Sequence, residues 1–222
     1  MNFMQILNSL DEFLYEVMSW LIFYPVTMWR TLRHPLRMMA YADSELQDSA
    51  EEQYTDTLRP PLFLLISLLL SHAIELALIG DDPIVKNTKG LAGMVSDNTT
   101  LLFLRLFVFS VFPLVMATRL VLKSKIGLSR ETLRLPFYSQ CYIAAPFALV
   151  VGLAGTIMQC HWPWAAEVGL GLLLFALVPY GIVQSLWFAK TLRVSMARGF
   201  LNASIGMIAS LVIVSCVGPL FT

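Results

Sequence analysis

Three stretches of this sequence run for more than twenty residues without one Asp, Glu, Lys, Arg or His: Leu135–Gln159, Val168–Ala189 and Gly199–Thr222. Crossing the hydrocarbon core of a bilayer takes about twenty apolar residues of α-helix, and a helix satisfies its own backbone there. Each stretch therefore predicts a transmembrane helix. Two more segments have the same length but carry polar residues. Pro60–Gly80 contains His72 and Glu75, and Thr99–Leu122 contains Arg105 and Arg119. Only 14% of residues are charged and 57% are hydrophobic, with mean hydropathy +0.70, whereas about a quarter of a soluble domain is charged. The expected fold is all-α: a polytopic bundle of five transmembrane helices occupying residues 60–222.

Orientation follows from the basic residues flanking the spans. Arg30, Arg33, Arg37 and Arg59 precede the first. Lys123, Lys125, Arg130 and Arg134 follow the second, with Arg119 at its edge, and Lys190, Arg193 and Arg198 follow the fourth. Those twelve share one side, while Lys86 and Lys89 fall on the other. The expectation is a multi-pass protein of the cell membrane, of the bacterial inner-membrane kind, with a cytoplasmic N-terminal region and an outer C-terminus. The first twelve residues hold no Lys or Arg and end in Asp11-Glu12, unlike a signal peptide.

Before the first span, Phe3, Ile6, Leu7, Leu10, Phe13, Leu14, Val17, Met18 and Leu21 keep a spacing of three or four, the stripe of an amphipathic helix. Asn8, Asp11, Glu12, Tyr15 and Ser19 take the opposite face. Pro25 predicts a kink or break, and Trp29 and three arginines follow. Residues 1–38 read as a helix lying in the membrane interface and a basic segment approaching the bundle. A sixth, kinked span from about Phe13 to Trp29 is the rival, opposed by Glu16 and the short length. Residues 39–59 read as an acidic cytoplasmic linker or short polar helix. Six acids and no base fall within 43–56, and Arg59-Pro60-Pro61 marks the start of the first span.

Ionisable groups inside spans are costly, which makes them the first functional candidates. Ser67, Ser71, His72 and Glu75 share an arc of roughly 140° at 100° per residue. Glu75 and Arg105 lie roughly 8 and 9 Å from the outer ends of consecutive antiparallel spans at 1.5 Å per residue. They are expected to meet as an ion pair, either a structural pin or part of a relay through His72. Ser71, His72, Glu75 and Arg105 form the candidate intramembrane polar cluster. Small residues predict close helix packing at Ala148, Gly152 and Gly155, at Gly169 and Gly171, and at Asn202, Gly206 and Ser210. Pro113, Pro146 and Pro179 interrupt their spans.

Catalytic and metal chemistry has no anchor. HExxH, GxSxG and the P-loop are missing. Cys141, Cys160 and Cys216 lie in or beside apolar runs without CxxC spacing, and His161 sits beside Trp162 and Trp164 at an interface. No cofactor or metal is expected, and a net charge of zero gives no general attraction to nucleic acid.

One stretch, Gly127-Leu-Ser-Arg-Glu-Thr-Leu-Arg-Leu-Pro-Phe-Tyr138-Ser-Gln-Cys-Tyr-Ile-Ala-Ala-Pro146, resembles the Yip1-like membrane proteins. There a Gly and polar segment leads into a span with Tyr-Ser and Ala-Pro. Trp29-Arg-Thr-Leu-Arg-His-Pro35 is similar to the "W..L..P" approach of bacterial members. The resemblance covers most of residues 29–222 and implies a membrane-embedded bundle that acts through partners, without catalytic residues. The functional expectation is a non-enzymatic scaffold or accessory subunit that packs against a membrane partner or a second copy, among membrane lipid. The alternative is a small permease or channel component using the polar residues of spans one and two.

Overall fold

A computed structural model describes residues 3–49, 52–80 and 98–217, and among these every regular element is an α-helix. Helix α1 spans Phe3–Arg33, α2 Pro35–Glu45, α3 Pro60–Ile79, α4 Asn98–Lys123, α5 Arg130–Met158, α6 Ala165–Leu192 and α7 Met196–Val217. Within α3 to α7 lie five stretches long and apolar enough to cross a membrane: Pro60–Ile79, Leu104–Lys123, Arg130–Met158, Ala165–Leu192 and Met196–Cys216. This is the polytopic helical bundle the sequence predicts; α1 is not among the five.

Local chemistry sets the boundaries. Pro60 and Pro61 occupy the first turn of α3, where a missing N–H costs nothing. Gly80 closes that helix at φ 83°, a left-handed value that suits glycine. Ser129 caps α5 by accepting from the Thr132 N–H, while Thr132 Oγ1 accepts from the Ser129 N–H. Arg193 ends α6 in the left-handed conformation. The five internal prolines Pro25, Pro113, Pro136, Pro146 and Pro179 lie within continuous helices. Pro25 therefore does not break α1.

Helix α5 is the hub, packed against α2, α3, α4 and α6, while α7 closes on α6 and α4. Glycines allow the closest approaches. A Cβ at Gly152 would lie 1.9 Å from Ser71 Oγ, one at Gly169 2.4 Å from Met158 Cγ, and one at Gly199 2.6 Å from the Ser185 carbonyl oxygen. On α7, Gly206 faces Met116, Ser210 is fully buried, and the Asn202 carbonyl and side-chain oxygens accept from Arg119 at 2.7 and 2.9 Å. Arg119, within the second predicted span, thus ties α4 to α7. Between α5 and α6, Gln140 and Gln184 pair their amides reciprocally in a fully buried site.

The acidic stretch is drawn into the bundle. Helix α2 overlaps its start, and on that helix Met38, Met39 and Ala42 are buried. Asp43 accepts from Ser139 of α5, and Tyr41 and Arg30 both donate to Asp56. Tyr142 completes the seam by donating to the Leu58 carbonyl at 3.0 Å. Charge had masked the Met-Met-Ala stripe. Helix α1 crosses the same end of the bundle: Tyr24 meets Ser67 and the Phe63 ring in the first turns of α3, and Thr27 accepts from the Leu58 N–H. Residues 9–16 are exposed on all sides, Leu10, Phe13 and Leu14 included.

Candidate functional site

The apolar run of α3 carries its polar residues on one face, and that face turns inward. Ser67, Ser71, His72 and Glu75 are all buried. Helix α4 runs back alongside, and Arg105 Nη1 contacts Glu75 Oε2 in an ion pair. The equal depths computed from sequence thus correspond to a real contact. Arg105 keeps 21% of its side chain exposed against 4% for Glu75, so the carboxylate is the more deeply buried partner.

Helix α5 adds a third wall. Gln159 Nε2 donates to Glu75 Oε1 at 3.3 Å and to the Gly155 carbonyl at 3.3 Å. Thr156 donates to the Gly152 carbonyl at 3.1 Å. His72 Nδ1 lies 3.6 Å from Glu75 Oε2, too far for a hydrogen bond, and neither ring nitrogen has a hydrogen-bond partner among the described residues. Ser71, His72, Glu75 and Arg105 therefore do come together. Ser67 stands apart, donating to the Phe63 carbonyl and meeting Tyr24 Oη at 3.1 Å.

A cavity of about 350 Å³ opens among the three helices, with Ser71, Glu75, Arg105, Thr156 and Gln159 as its polar lining and Leu68 and Phe109 among its apolar walls. Gly152 and Gly155 leave this face of α5 bare. They do so differently: Gly152 receives Ser71, whereas nothing lies within 4 Å of a Cβ placed at Gly155. Gln159 and Thr156 escaped the sequence reading because neither is ionisable. Position at the outer end of the third predicted span, level with Glu75, was the available signal.

Chemically, the arrangement pairs charge and offers hydroxyl and amide groups to a small polar guest. Elsewhere His161, Trp162 and Trp164 are exposed, and among the described residues no three His, Cys, Asp or Glu side chains cluster as a metal site. The three cysteines are free thiols, with Cys141 buried, Cys160 half-buried and Cys216 exposed.

The two stretches that carry the Yip1-like resemblance lie against each other. Thr31, Leu32 and Pro35 of the first line one cavity with Ile143 and Pro146 of the second. Compared with models of protein families, with curated proteins and with solved structures, the chain matches none.

Proposed function

We propose that this chain is a non-enzymatic integral membrane protein, a scaffold or accessory subunit that packs against the transmembrane helix of a partner. The observation carrying the reading is a groove of about 670 Å³ between α6 and α7, floored by the small residues Gly181, Ser185, Ala197 and Ser204. Its flanks are the exposed apolar residues Val178, Ile182 and Phe200. Lipid needs no such floor, but a helix packing on a helix does, because small residues let backbones approach. The charged groups of the spans support the same reading. Glu75 with Arg105, and Arg119 with Asn202, are engaged between helices of the bundle rather than facing outward. The orientation we favour puts the Pro60 end of α3, the α1–α2 region and the 124–129 loop in the cytoplasm, as in the Yip1-like plan. Cross-linking in intact membranes from a cysteine at Ser204 tests the groove. A single stoichiometric adduct supports it, and lipid-only labelling argues against it.

A second reading, a small permease component, draws on the polar cavity at Glu75 and Arg105. Solute flux in vesicles that falls with Gln159→Ala or Thr156→Val, at unchanged stability, would favour that alternative.

A further inference from the structure

Toward the end of α4 a cleft of about 520 Å³ lies between α4 and α7. Its α4 wall is two adjacent rows at helical spacing: Leu114, Thr118 and Leu122 form one, and Val115, Arg119 and Lys123 the next. Polarity is graded along the helix axis. Leu114 and Val115 make the inner end apolar, Thr118 and Arg119 follow, and Lys123 closes the last turn beside the 124–129 loop. Leu114 and Leu122, 44% and 59% exposed, open the cleft to the outer surface of the bundle. Gly206 and Ala209 of α7 form the other wall. A Cβ at Gly206 would lie 2.5 Å from Met116 Sδ and 3.4 Å from Arg119 Cδ, so the chain's own side chains already fill the notch that a foreign helix would need.

Charge decides what the cleft takes. Arg119 lies one turn inside the end of α4, roughly 6 Å deep at 1.5 Å per residue. Its Nε and Nη2 donate to the Asn202 carbonyl and side-chain oxygens at 2.7 and 2.9 Å, which fixes the guanidinium plane, while Nη1 donates to none of the described residues. Asn202 is neutral, and among the described residues neither Arg119 nor Lys123 forms an ion pair. A guanidinium without a counter-charge inside a span is costly, and its planar fork suits a phosphate. Two cations one turn apart at the membrane boundary, beside an apolar trough, match the polarity of an anionic lipid, headgroup at one end and acyl chain at the other. We propose that this cleft holds an anionic phospholipid. Its phosphate meets Arg119 Nη1 and the Lys123 ammonium, and one acyl chain lies along Leu114, Val115 and Ala209. The site is separate from the Glu75 cluster and from the α6–α7 groove, and it does not depend on a protein partner.

The test is native mass spectrometry of the full chain in mild detergent, titrated with phosphatidylglycerol or with phosphatidylcholine of the same acyl chains. Phosphatidylglycerol should bind at least fivefold more tightly. Lys123→Gln, at an exposed residue outside the Arg119–Asn202 contact, should cut that preference at least threefold at an unchanged melting temperature. Arg119→Gln with Lys123→Gln should abolish the preference while leaving phosphatidylcholine binding in place; if that pair fails to fold, Lys123→Gln alone decides. Ala209→Leu, which narrows the apolar end, should weaken both lipids several-fold. Equal affinity for the two lipids in the wild-type chain, a preference untouched by Lys123→Gln, or binding untouched by Ala209→Leu would overturn the proposal. Displacement of phosphatidylglycerol by inorganic phosphate would do so too, since it would reduce the site to a surface anion contact. So would a photoreactive group at Leu122 that captures protein rather than lipid in intact membranes.

Discussion

Glu75 and Arg105 join charges across consecutive membrane-crossing helices, with the carboxylate also held by Gln159 from α5. Removing one partner of a buried pair strands the other charge, whereas removing both leaves an uncharged site. Glu75→Gln alone should therefore cost about 3 kcal/mol of stability, and the double change with Arg105→Gln should cost less than the single one. A thermal-unfolding cycle in detergent measures the coupling, and additive losses would show that the contact contributes no pairing energy.

The glycines of α5 give a sharper contrast. Gly152→Ala drives a methyl into Ser71 Oγ and should destabilise by about 1–3 kcal/mol, the usual range for overpacking. Gly155→Ala meets nothing within 4 Å and should be neutral or mildly stabilising, since alanine is the better helix former. Melting temperatures of the two variants should separate clearly; equal losses would contradict the helix approach described.

These two sites also mark how far the sequence could be read. Lengths and apolar runs located all five spans, because backbone satisfaction in hydrocarbon leaves few alternatives. The meeting of Glu75 with Arg105 followed from helical rise alone. The third wall at Gln159 and Thr156 was missed, since uncharged polar residues in a span stand out less than charges, and their level with Glu75 was the one signal. Burial of Met38, Met39 and Ala42 was hidden by the surrounding acids, and the reciprocal pairing of Gln140 with Gln184 depends on how α5 and α6 rotate. Spacing within one helix cannot give that rotation.

Acid should act on the α1–α2 region through two carboxylates of opposite sign. Burial pushes the Asp56 carboxyl up, but hydrogen bonds from Arg30 and Tyr41 and the Arg30 charge outweigh it, leaving it below its ordinary value. Its stabilisation is present above the unfolded pKa and lost as pH falls through the lowered folded value. For Asp43, burial wins over the Ser139 hydrogen bond and the Lys190 charge, so its carboxyl is raised. That contribution is complete below the unfolded pKa and lost as pH rises through the raised one. Melting temperature against pH should fall less steeply in Asp56→Asn than in wild type below about pH 4. Asp43→Asn should be no less stable than wild type at pH 7, with any advantage vanishing in acid.

Membrane orientation is open to a direct assay. The basic loop residues predict that a cysteine placed at Ser129, an exposed helix cap, reacts with a membrane-impermeant reagent only after the cells are opened. Labelling in intact cells would invert the topology.

The claim that the chain works by packing against a membrane partner is tested most directly by cross-linking at the α6–α7 groove, followed by purification in mild detergent. With a cysteine at Ser204, we expect one stoichiometric protein adduct, reduced at least tenfold by Gly181→Leu, which fills the groove without touching the Glu75 cluster. A chain that purifies without an adduct, or an adduct indifferent to Gly181→Leu, would contradict it.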